Sequence, residues 1–283
     1  MTQQKDFRSG RRLLPPDAFA YAEGPDLPPK DLIDKDVWNS LMNLPDDVSL
    51  RTSADHGSEL KFMHGLWSSI IDNVGSEDVM YHCLLDVADE LNACIVNSVI
   101  GFYKVAASSL RSALELATHG AYYQRCKNLS AYKLWREKQG DLNFGESCDG
   151  LNRLTDVKSI NDYLYSKMKD TIFDQRNSRY PRYQGGWARK LHSKLSDFVH
   201  SKPSCSHVDL WKGSTGPIYV LQSFGRISAM YCDTVALIYV LLKISRPYFS
   251  LPPQAIFIFR FPNIRPSKIA AYTYQYLFED HAV

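Results

Sequence analysis

Arg111, Glu115 and His119 stand four residues apart in GFYKVAASSLRSALELATHGAYY, residues 101–123. That spacing stacks side chains one turn above another on a single helix face. A later stretch, residues 187–200, carries His192, Ser196 and His200 at the same spacing. If the two polar faces meet inside a bundle, they make a site of Arg, Glu and His. These are the parts needed to cleave an RNA strand without metal. A histidine moves the proton of the 2′-hydroxyl or of the leaving oxygen. A fixed guanidinium steadies the charge growing on the phosphate, and a carboxylate orients either one. The same residue types also serve a purely structural purpose. An Arg–Glu pair at this spacing, with His119 near a helix end, can hold a helical core together with no chemistry at all. The residues alone leave both readings open.

Other chemistries fit poorly. His192, His200, Cys205 and His207 fall in one short region. His192 and His200 are two turns apart rather than four residues, and the remaining spacings match no familiar ligand pattern. Neither a metal nor a cofactor is expected. There is no G-x-S-x-G elbow, Walker loop or Rossmann glycine fingerprint, and no alternation of strands with helices to support one. Serine hydrolase, kinase and dehydrogenase readings therefore fall away.

The elements that must position these residues read as helices. Leu60, Met63, Leu66, Trp67, Ile70 and Ile71 recur at helical spacing. A second periodic run covers residues 79–99, and Gly101 separates it from the helix that carries Arg111. On that helix Phe102, Ala106, Ala113, Leu114, Ala117 and Ala121 form the packing stripe, and so many alanines imply close helix–helix approach. Residues 131–139 read as a short aromatic helix, 141–159 as a loop, 159–174 and 187–201 as helices. The most apolar stretch, AMYCDTVALIYVLLKI at 229–244, is shorter than the ~20 residues a membrane span needs and contains Asp233. It is expected to be a buried core helix, with no membrane involved. The fold class is all-α: a helical bundle over residues 58–249, preceded by an extended Pro-rich arm, 1–57, and followed by a tail, 250–283.

The flanks and one loop carry the candidate contacts. The arm holds a basic cluster, Arg8, Arg11 and Arg12, and reads as a lead-in to the domain or a docking arm. NSRYPRYQGG at 177–186 adds Arg179, Tyr180, Arg182 and Tyr183 to Arg176. Basic residues interleaved with aromatics are what single-stranded nucleic acid binding uses, and they equally suit a surface loop that closes over the bundle. In the tail, residues 255–261 are β-rich, and Ile256, Phe257, Phe259 and Phe261 are expected to form a strand that docks a partner. The net charge of +2, from 33 basic and 31 acidic residues, does not by itself demand nucleic acid. Six cysteines form no C-x-x-C pair, and the start of the chain has no apolar run resembling a signal peptide. A reduced, cytoplasmic setting is expected.

Two phrases, AASSLRSALELATHGAYY at 106–123 and KLSDFVHSK at 194–202, together resemble HEPN-like helical proteins of bacterial abortive-infection and other phage-defence systems. In those proteins an LR-x-x-LE helix packs against a later helix ending in LS-x-x-x-H. The resemblance spans roughly residues 60–250. It implies an α-helical bundle, often dimeric. It also implies either a metal-independent ribonuclease using an Arg-x(4–6)-His motif or an inactive member that binds RNA or a protein partner. Carried over by position, Arg111 matches the helix arginine, Glu115 the glutamate after it, and His200 the later histidine. The chain departs from the ribonuclease motif: seven residues separate Arg111 from His119, and no RN-x(4)-H phrase occurs. The expectation is an RNA-directed component of a phage-defence or toxin system, with RNA and a homodimer or larger complex as partners. In it His200 or His119 is the acid/base, Arg111 the phosphate cation and Glu115 its orienting carboxylate. The alternative is a non-catalytic scaffold subunit.

Overall fold

The computed structural model describes residues 35–38, 41, 43–70, 78–126, 129–137, 143–173, 185–199, 217–260 and 267–279. The chain divides into two compact units, Met1–Leu44 and Pro45–Val283. In the first, the described helix is the single turn α1, Lys35–Trp38. The elements that follow build the second unit, and among the described residues its regular secondary structure is all helical.

Helix α2, Leu44–Ser69, starts well before the expected residue 58. Its first half is polar in sequence, but Val48, Thr52 and His56 repeat at four-residue spacing and are buried. His56 breaks the helix, with φ −129° and ψ 25°. Helix α3, Val79–Val99, is N-capped by Asp78, whose carboxylate accepts from the Met80 amide at 2.8 Å. The other Asp78 oxygen accepts from the Arg246 side chain, so the start of α3 is tied to the residue just after the helix Leu221–Ser245. Gly101, at φ +84°, turns the chain into α4, Tyr103–Cys126. A Cβ at Gly101 would fall on the Ile218 carbonyl.

Helix α4 is the centre of the unit, packing against α3 and against α6, α8 and α9 described below. Ala106, Ala113, Ala117 and Ala121 are fully or almost fully shut from solvent. At Gly120 an added Cβ would meet Cys83 Cβ and Met80 Sδ at 2.9 Å each. The small residues therefore set how closely α3 and α4 approach.

Helix α5 is Leu129–Arg136, α6 is Phe144–Asn152 and α7 is Thr155–Met168. The sequence expectation of a loop at 141–159 is corrected here. Asn143 caps α6 by accepting from the Glu146 amide at 2.8 Å. Phe144, Ser147, Cys148 and Leu151 then form a buried stripe at helical spacing. The glycines that suggested a loop lie within a helix, where Gly150 accommodates the ring of Tyr122.

Helix α8 is Trp187–Val199, and α9, Leu221–Ser245, runs through the core. By length and composition α9 could cross a membrane, but 72% of its most apolar stretch is buried within the protein. Its polar groups find partners inside. Tyr231 Oη donates to the Met63 carbonyl at 3.0 Å, and Tyr239 Oη pairs with Ser69 Oγ at 2.7 Å. Burial pushes the Asp233 carboxyl up from its ordinary range, while bonds from Ser267 Oγ at 2.9 Å and Trp187 Nε1 at 3.2 Å counter that.

The tail is helical, which corrects the expected strand. Helix α10, Pro253–Arg260, starts on a proline, a residue suited to the first helical position. Ala255, Ile258 and Phe259 are buried at i, i+3 and i+4, a helical rather than an alternating pattern. Ile256 is half-buried, Phe257 is more exposed, and Phe261 lies outside the described residues. Helix α11, Lys268–Tyr274, is capped by Ser267 and runs into a π-turn, Gln275–Glu279. Phe259, Tyr274 and Phe278 stack together, so the tail is part of the core.

Candidate active site

The polar face of α4 meets α8 and α6. Arg111 Nε donates to Glu115 Oε1 at 3.0 Å, one turn along α4. His192 Nε2, from α8, bonds the same Oε1 at 2.7 Å. One carboxylate oxygen thus holds a guanidinium and an imidazole together. The Arg111, Glu115 and His192 side chains are 22%, 31% and 20% exposed, so all three are partly open to solvent.

Packing fixes the imidazole. Phe144 of α6 stacks on the His192 ring with centroids 4.1 Å apart and planes within 9°. Ser196 Oγ donates to the His192 carbonyl at 2.7 Å. Burial disfavours the Glu115 carboxylate, but the bonds from His192 and Arg111 and the charge of the Arg111 guanidinium outweigh it and hold the carboxyl below its ordinary range. Glu115 is therefore ionised at neutral pH.

His119 belongs to a different environment. It is only 6% exposed, and its Nδ1 lies 2.7 Å from Ser147 Oγ, which is fully buried. The Trp135 ring stands edge-on at 5.5 Å. Burial drives the imidazole down to about 4, with Glu115 pulling it up and His192 pushing it further down. At neutral pH His119 is an uncharged core residue linking α4 to α6. The sequence placed His119 on the same face as Arg111, whereas the structure turns its side chain inward against α6.

No protein-family model, curated protein or solved structure matches this chain.

Of the sequence-predicted residues, the fold brings Arg111 and Glu115 together and turns His119 inward. His200 lies outside the described residues, as do Arg176, Arg179, Tyr180, Arg182 and Tyr183. The histidine bonded to Glu115 is His192, which the sequence placed on the polar face of residues 187–200 without giving it a catalytic role. The signal for it was present, since His192 lies on the α8 face that also carries Ser196. Phe144 and Ser147 were hidden by the loop reading of 141–159. Their signal was Asn143 followed three residues later by Glu146, a capping arrangement at the head of an apolar stripe.

Proposed function

We propose that this protein is an RNA-directed, HEPN-like helical component of a bacterial phage-defence or toxin system. In this reading it is a cytoplasmic, metal-independent endoribonuclease whose working residues are Arg111, Glu115 and His192. The observation that carries the proposal is the convergence of Arg111 and His192 on one oxygen of Glu115, on a face open to solvent. His192 takes the acid/base role that the motif resemblance gave to His200.

The chemistry follows from the bonds. Glu115 holds Nε2 of His192, so proton exchange with the substrate falls to Nδ1, as in any carboxylate-oriented imidazole. Nδ1 takes the proton of a ribose 2′-hydroxyl. The 2′-oxygen attacks the adjacent phosphorus, the bond to the 5′-oxygen breaks, and that oxygen takes a proton from solvent water, while His192 later returns its proton to solvent. The products are a 2′,3′-cyclic phosphate end and a 5′-hydroxyl end. Arg111 stabilises the extra negative charge on the phosphate during attack.

A second reading rests on the same bonds. Because Glu115 bridges α4 to α8, the trio also serves as a strut, and the protein would then be a non-catalytic subunit of a larger defence complex. Expression in a bacterial host separates the two. Wild type should arrest growth and fragment total RNA, while folded Arg111→Ala and His192→Ala variants should do neither. Unfolding of both variants, with intact RNA in cells expressing wild type, would support the strut.

A further inference from the structure

Away from that trio, α7, the end of α9 and the π-turn enclose a cleft of about 420 Å³, a volume typical of small-molecule sites. Ile160, Ile244, Pro247 and Leu277 give it an apolar lining, and Lys243 brings a positive charge into it. Lys243 Nζ donates to the Phe249 carbonyl at 3.0 Å and lies 5.5 Å from the centre of the Phe278 ring. Both neighbours hold the ammonium in place, but neither is an anion. Among the described residues Lys243 makes no ion pair.

The one acidic group among the described residues of the lining does not fill that role. Asp156 accepts from Arg125 Nη2 through both oxygens, at 2.9 and 2.8 Å, and is neutralised there. Among the described residues, the cleft therefore presents one positive charge without an ion-pair partner beside an apolar surface. Partial burial lowers the Lys243 amine from its ordinary range, so an anion beside it would also recover lost solvation. Tyr276 and Ser159 add hydroxyls at the rim.

We propose that this cleft binds a small amphipathic organic anion, an aliphatic carboxylate. The carboxylate pairs with Lys243, and the chain lies along Ile160, Ile244, Pro247 and Leu277. Such a ligand joins the C-terminal π-turn to α7 and α9. This site is independent of the RNA-cleavage reading.

Calorimetric titration of the full-length protein with octanoate, octanol, octylamine and inorganic phosphate tests it. Octanoate should bind at least about tenfold more tightly than octanol or octylamine, because only it offers both charge and chain. Equal affinity for octanoate and octanol would overturn the role of Lys243. Phosphate binding as tightly as octanoate would overturn the role of the apolar lining. Lys243→Met keeps the stem and removes the charge, and should abolish the preference for octanoate over octanol, whereas Lys243→Arg should keep it. Ser159→Trp changes an exposed α7 position and fills the cleft without disturbing the core. It should weaken octanoate binding about tenfold or more, and unchanged binding in this folded variant would refute the location.

Discussion

Acidification should destabilise this protein through His119, and the size of the effect can be worked out. Burial lowers this imidazole from 6.5 to about 4, and the ring is held neutral against Ser147 Oγ. In the unfolded chain it takes up its proton near 6.5. A depressed folded value means that the fold favours the neutral ring. That stabilisation is complete above pH 6.5, shrinks as the pH falls, and is lost as the pH passes through about 4. The gap is worth about 3 kcal/mol in full and about 2 kcal/mol by pH 5. Urea unfolding of wild type and His119→Asn at pH 7, 6 and 5 would isolate it. Asparagine can still pair with Ser147 but does not titrate. Wild type should lose about 2 kcal/mol more than the variant between pH 7 and pH 5. Parallel losses in the two proteins, or an NMR titration of native His119 near 6.5, would refute the reasoning.

Three further outcomes concern the scaffold. Gly101→Ala should cost about 2 kcal/mol or more in urea unfolding, because it forces a side chain into positive φ and onto the Ile218 carbonyl. Phe259→Ala should cost about 3–5 kcal/mol if the tail is core, and under about 0.5 kcal/mol if it is a detachable docking strand. Asp78→Ala removes the cap of α3 and the partner of Arg246 together. It should cost about 2 kcal/mol, with hydrogen exchange rising first at the head of α3.

Much of the bundle could be read from residue pattern, for physical reasons that differ from element to element. Helix α9 was legible because it is apolar all round, which leaves only a membrane or a protein centre. Its Asp233, at odds with lipid, is where α8 and α11 are bonded to it. Helix α4 was legible from its alanine stripe, and Gly101 from the break it makes. The tail misled because Ile256, Phe257 and Phe259 have strand-like composition, whereas packing against α9 and α11 selects the helical spacing of Ala255, Ile258 and Phe259. Helix α6 misled because its glycines serve close approach rather than a turn. At the site, Arg111–Glu115 followed from spacing alone. Which histidine completes it did not, since His192 and His200 share a helix face in the sequence; the structure shows His192 bonded to Glu115, and His200 lies outside the described residues. The reverse held for His119, whose spacing suggested the open face while α6 buries it against Ser147.

In the proposed function, Arg111 and His192, joined through Glu115, cut RNA without metal. The most direct measurement is cleavage of single-stranded RNA by purified protein in excess EDTA, with mass analysis of the ends and His192→Ala run alongside. The account predicts fragments ending in 2′,3′-cyclic phosphate and 5′-hydroxyl, and a rate at least about 100-fold lower for a folded His192→Ala. Intact RNA with wild type, or equal rates for wild type and His192→Ala, would contradict it.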